Sequence, residues 1–146
     1  MKRFIPVFAL SFSLLLSCAQ SQEIRNASRV IDSYYQTLKE NRAANASQYF
    51  SPDFQAKNPP ELWIATASEI IAEMGPIVRW ERLSEKSHYY TKTRESQEIV
   101  VLIYTTHYEK HYSRELFTLA KDPDTGEYRI CGMDITEKGI KKEKKK

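Results

Sequence analysis

The chain has 146 residues, 22 Lys and Arg against 19 Asp and Glu, two cysteines and four glycines. That length bounds it to one domain; the few glycines leave little room for a phosphate-cradling loop, and two cysteines cannot build a disulfide framework. The net charge of +3 comes from Lys138, Lys141, Lys142, Lys144, Lys145 and Lys146 at the very end, and no basic stripe interleaved with aromatics supports a nucleic-acid partner.

The chain opens with Met1-Lys2-Arg3, an apolar run from Phe4 to Leu16, and then Ser17-Cys18. A basic start, a short apolar stretch and a small residue before the cut form a secretory signal. The run holds about 13 residues where a membrane-spanning helix needs roughly 20, so a permanent span is not expected. Leu15-Leu16-Ser17-Cys18 resembles the bacterial lipobox. The resemblance implies a signal peptide over 1–17, a lipid-modified Cys18 at the start of the mature chain, and a polar tether over 18–23. Each buried CH₂ of an acyl (palmitate-type) chain contributes about 0.8 kcal/mol, so two or three chains anchor a protein firmly to the membrane. Ala19 follows the cysteine, where lipoproteins retained at the inner membrane usually carry Asp. The resemblance therefore implies the cell envelope and, within it, the outer membrane. Two Asn-Ala-Ser sequons, at Asn26 and Asn45, are incidental in that setting.

Beyond the tether, Ala27, Val30, Ile31, Tyr34, Tyr35 and Leu38 recur at helical spacing and predict an amphipathic helix over 24–42. A short helical piece over 44–50 ends at Ser51-Pro52-Asp53. Asn58-Pro59-Pro60-Glu61 then offers an N-cap, a proline at the first helical position and a glutamate three residues after the cap. A helix follows over 59–74, and Gly75-Pro76 stops it.

Everything after Gly75 reads as strands: 77–84, 87–93, 98–108, 113–121 and 127–136. Asp122-Pro123-Asp124-Thr125-Gly126 is the hairpin loop before the last of them. Cys131 is the thiol that lipidation leaves over; set between Ile130 and Gly132, it reads as buried and inert. Residues 137–146 have almost no apolar content and predict a disordered Lys-rich tail. Helices first and antiparallel strands after predict an α+β domain over 24–136, its helices packed on one face of a curved sheet.

The long helix, the short piece ending in Tyr49-Phe50-Ser51-Pro52-Asp53-Phe54, the capped helix and the meander closing on Gly126-Glu127-Tyr128-Arg129-Ile130 resemble the NTF2-like (cystatin-like) superfamily. Met133 stands where many such proteins carry an aromatic. This superfold hosts enzymes, binding modules and adaptors alike.

His107-Tyr108-Glu109-Lys110-His111 is the one metal-like cluster. Read as a strand, it puts its histidines about 13–14 Å apart, too far to share a zinc with bonds near 2 Å. His88 reads as a surface residue. No metal and no cofactor is expected. Cavity enzymes of the NTF2-like class use a carboxylate base and a tyrosine donor. Asp134 with Tyr34 or Tyr35 would be the candidates here, but alternation puts Asp134 opposite Cys131, Met133 and Ile135. No catalytic residue is assigned on that basis. Tyr35, Trp63, Trp80, Tyr104 and Phe117 lie on elements expected to face each other and are the candidate lining of an apolar ligand cavity. Strand 98–108 is apolar on both parities, Ile99, Val101 and Ile103 on one and Val100, Leu102 and Tyr104 on the other. A strand covered on one side only should alternate. A homodimer or partner protein is therefore expected on the sheet, with Tyr104 and its same-parity neighbours in the contact. The reading this favours is a non-catalytic binding module on a membrane; the alternative is a cavity enzyme of the isomerase or dehydratase kind.

Overall fold

A computed structural model describes the backbone of residues 9–92 and 95–140 and the side chains of 22–86, 98–136 and 139. Residues 1–8 of the expected signal, the Cys18 and His88 side chains, and the lysines from 141 onward lie outside the described residues. The elements run α1 (Ala9–Lys39), a 3₁₀ segment (Ala43–Tyr49), α2 (Pro52–Lys57), α3 (Pro60–Met74), β1 (Ile77–Lys92), β2 (Glu95–Tyr108), β3 (His111–Lys121) and β4 (Tyr128–Ile140). The strands form one antiparallel sheet in the order β1-β2-β3-β4, curved and unclosed, with the helices on one face. The fold is α+β.

α1 starts well before residue 24. Between Pro6 and Pro52 the chain carries neither Gly nor Pro, and Leu14-Leu15-Leu16 and Ala19 are strong helix formers. No helix among the described residues is long and apolar enough to cross a membrane. Ile24, Ala27, Ile31, Tyr34, Tyr35 and Leu38 form the buried stripe of α1. The helix stops at Lys39, short of the expected 42, because Asn41 turns left-handed at φ 58°. Arg42 N–H then donates to the Thr37 carbonyl and Asn41 N–H to that of Leu38, both at 3.0 Å. These two bonds make a Schellman end, which asparagine tolerates.

One cap and one added helix differ from the sequence expectation. Ser51-Pro52-Asp53 ends the short piece as expected but also begins α2: the Ser51 hydroxyl accepts the Phe54 N–H at 3.2 Å and Pro52 takes the first helical position. Asn58 does not cap α3 but closes α2, its backbone N–H and its Nδ2–H donating to the Phe54 carbonyl at 2.9 and 3.1 Å. Pro60 keeps Pro59 out of the helical region (ψ 148°), so Pro59 becomes the residue before α3 and offers no side-chain cap. At the far end Gly75 sits at φ 84°, and a Cβ there would lie 2.9 Å from the Cβ of Glu109.

β1 joins the two strands expected over 77–84 and 87–93 into one. β4 runs four residues past the expected end of the last strand, into the expected tail: Glu137 to Ile140 pair with Arg114 to His111. Gly139 permits this, because the Tyr112 ring occupies the place of a side chain there. Glu109-Lys110 forms a turn, so His107 and His111 are not on one strand; by parity they stand on opposite faces of the sheet. On β2 the even residues from Val100 to Tyr108 are buried against the helices, and on β3 Ser113, Glu115, Phe117 and Leu119 are. Register shifts beside Glu115 and beside Leu119 bend β3 and β4. The second switches the parity of β4: Tyr128 and Ile130 face inward before it, Met133 after it. Cys131 falls within the shift and is half-buried, its thiol donating to the Thr118 carbonyl at 3.3 Å. Burial pushes that thiol's pKa up.

Candidate functional site

The interior has two regions. Under α1, Tyr35 stacks on Trp80 at 5.2 Å between ring centroids and meets Tyr104 at 5.7 Å and Phe117 at 5.6 Å. Tyr34 extends the cluster to Phe50 at 5.9 Å and Trp63 at 6.0 Å. The structure thus brings all five expected ligand residues, Tyr35, Trp63, Trp80, Tyr104 and Phe117, into one network of rings. They pack against each other, and no space given by the described residues is lined by all five. Trp80 and Tyr104 reach an outer groove of about 410 Å³ beside Arg25, Arg29, Asp32 and Arg82. Trp80 gives its indole N–H to Asp32 at 2.9 Å. Tyr104 is 2% exposed and faces the helices, so it cannot be part of a contact on the outside of the sheet.

Under α3 lies a small cavity of about 20 Å³, room for about one water. Its walls are apolar on the α3 side, with Ala67, Ile70 and Ile71, and polar on the sheet side, with Glu115 and Tyr108. Glu115 is 4% exposed. Its Oε2 accepts the Tyr35 hydroxyl at 2.7 Å, and its Oε1 accepts those of Tyr108, at 3.0 Å, and Ser113. Thr106 donates in turn to the Tyr35 oxygen at 2.7 Å. Three hydroxyl donors around one carboxyl group satisfy a polar side chain that is otherwise costly to bury. The strand register makes this possible: Glu115 pairs with Tyr104 and Ser113 with Thr106, so all four share the inner face.

The phenols carry the mark of this burial. Removal from water, and next the Glu115 charge, holds the Tyr34, Tyr35 and Tyr108 hydroxyls well above the usual tyrosine pKa. Burial pushes Tyr104 up to about 12. The carboxyl–tyrosine pair weighed from sequence, Asp134 with Tyr34 or Tyr35, is not the one the structure assembles. Asp134 is exposed, while Tyr34 bonds the Met133 sulfur at 3.6 Å. Glu115 takes the place of Asp134. A signal for it was present in the sequence: Ser113, Glu115, Phe117 and Leu119 share one parity, which places a carboxyl group in phase with core residues.

His107 lies on the outer face with Nε2 3.0 Å from Glu81 Oε1. No group of three or more His, Cys, Asp or Glu among the described residues is placed to hold a metal ion. No family model and no curated protein matches this chain.

Proposed function

We propose that this chain is a lipid-anchored binding module of the cell envelope, with an NTF2-like domain, that works by docking through the outer face of its sheet and not by catalysis. One observation carries the docking reading. On the face turned away from the helices, Ile99, Val101 and Ile103 of β2 continue into Leu116 of β3, which pairs with Ile103. All four are only half-buried, and contiguous apolar surface of this kind marks interaction sites. Arg79, Glu81 and Lys86 rim the band on β1, and Asp134 on β4. An apolar centre rimmed by both signs of charge can meet itself across a two-fold axis, so the occupant proposed is a second copy. Ile103 and its parity form the contact, in place of Tyr104. Sedimentation at tens of micromolar is expected to show a dimer that Val101→Lys converts to monomer. A monomer at every concentration would remove the self-association reading.

The anchor rests on Leu15-Leu16-Ser17-Cys18. Cys18→Ala is expected to abolish incorporation of labelled palmitate; equal incorporation by the variant would end the lipoprotein reading.

The enzyme reading draws on one feature, the convergence of Glu115, Tyr35 and Tyr108 beside an apolar cavity. Two facts weigh against it. Both Glu115 oxygens already accept hydroxyl protons from the protein, and the cavity beside them admits about one water.

A further inference from the structure

Trp63 and Met133 each line two spaces. One is the inner cavity of about 20 Å³ with Tyr34, Tyr108 and Glu115. The other is an open groove of about 450 Å³ with Phe54, Leu62 and Cys131 on its walls. These two side chains are the partition between the inside and the outside of the domain.

Two buried donors stand at the partition without a strong acceptor. The Trp63 Nε1–H has no hydrogen-bond partner among the described residues, although Trp63 is 6% exposed. Tyr34 is 1% exposed and gives its O–H to a thioether sulfur, a weak acceptor. Buried donors are nearly always matched, so each exception asks for an explanation. The partition combines an adaptable side chain with a helix end that carries no side-chain cap. Met133 is unbranched and adaptable. The C-terminal end of α3 is tied down, with Lys110 N–H donating to the Met74 carbonyl at 3.1 Å and Glu109 N–H to that of Pro76 at 2.9 Å. Its N-terminal end, one turn from Trp63, follows Pro59 without a side-chain cap.

We propose that cavity and groove are two parts of one ligand site, gated by Trp63 and Met133, and that its ligand is a small, uncharged, apolar molecule carrying an acceptor oxygen, of the ester or ketone class. The acceptor oxygen matches the Trp63 N–H and the Tyr34 O–H. The apolar body matches Ala67, Ile70 and Ile71. An anion is disfavoured beside the Glu115 carboxyl group, and a cation finds both Glu115 oxygens already engaged. The groove alone is within the usual size of a small-molecule site. This site lies on the helix side of the sheet and does not depend on what docks on the other side.

The test is a titration of the full chain with methyl hexanoate, followed by the resonances of the two nitrogen-labelled indoles and assigned with Trp63→Phe. The Trp63 N–H is expected to shift and saturate, while the Trp80 N–H, held by Asp32, stays in place. Hexanoate and heptane are each expected to bind about tenfold more weakly, one for its charge and the other for its missing acceptor. Tyr34→Phe is expected to weaken the ester by about the same factor. A Trp63 resonance unmoved at saturating ester, both indoles moving together, or equal binding of all three compounds would each overturn the proposal. Trp80→Phe gives the same assignment from the other indole, and the readout is on the unsubstituted chain, so a Trp63→Phe or Tyr34→Phe chain that fails to fold leaves the test decisive.

Discussion

The core under α1 and the core under α3 use similar residues and reach different ends. Under α1, Ala27, Ile31, Tyr35, Val100, Leu102 and Phe117 are each fully buried, and the rings touch with centroids 5.2–6.0 Å apart. Under α3 only Trp63, Ala67 and Met74 of fifteen helix residues are buried, Leu62 is 55% exposed, and a cavity remains beside a buried carboxyl group. The difference follows from the stripe each helix presents. α1 repeats large apolar and aromatic side chains over four turns against the middle of the sheet. α3 sets Ala67 between Trp63 and Met74, and a small residue at the centre of the stripe leaves the space that Glu115 and Tyr108 border. The dense region is the scaffold, and the loose one is where chemistry or binding can be accommodated.

The largest test of this picture acts on both regions at once. Tyr34, Tyr35, Tyr104 and Tyr108 have phenol pKa values raised by burial above the usual value near 10. A raised value means the unfolded chain gives up these protons first. The stability linked to them is therefore fully present below about pH 10 and is lost as pH climbs toward the folded values. Alkaline unfolding is expected in that window, and the phenolate absorbance of the nine tyrosines should reach its full size only as the fold is lost. Full absorbance in a chain that keeps its native circular dichroism would show that these rings are not sealed.

Next in size, Phe117→Ala removes a ring that touches Tyr34, Tyr35 and Tyr104 and is expected to cost about 3–5 kcal/mol in urea denaturation. Met133→Ala, beside the existing cavity and only half-buried, is expected to cost no more than about half as much, because less packing is lost. Equal losses would mean that the two regions are packed alike.

How far the sequence reveals these regions depends on the period of each element. α1 and α3 are legible because apolar residues recur over several turns, and the sheet because branched and aromatic residues crowd after Gly75. Tyr35, Trp63, Trp80, Tyr104 and Phe117 are recognisable as neighbours for the same reason. Whether neighbouring rings fill a space or line one depends on ångström-scale fit, which no periodicity carries. The Glu115 group stays hidden for another reason. Its donors Tyr35, Tyr108 and Ser113 come from three elements, and only the register Tyr104 to Glu115 and Thr106 to Ser113 brings them together. Parity fails for Cys131 because a register shift resets the alternation within β4, and shifts leave no mark in composition.

The smallest effect concerns how α3 is attached, and it separates two residues that look interchangeable as caps. Ser51 accepts the Phe54 N–H from the N-cap position of α2, whereas Asn58 donates to the Phe54 carbonyl at the other end. An N-cap side chain satisfies a helix donor that has no other partner, and its loss costs about 1 kcal/mol. The Asn58 amide adds a second donor to a carbonyl that already accepts the Asn58 backbone N–H at 2.9 Å, so removing it leaves no group unsatisfied. Ser51→Ala is therefore expected to lower the denaturation midpoint by more than Asn58→Ala, whose cost should stay at about half a kcal/mol. The reverse order would place Asn58 at the start of α3, with the Trp63 end of that helix tied down. In that case the loose region would owe its cavity to side-chain size alone and not to the way its helix is held.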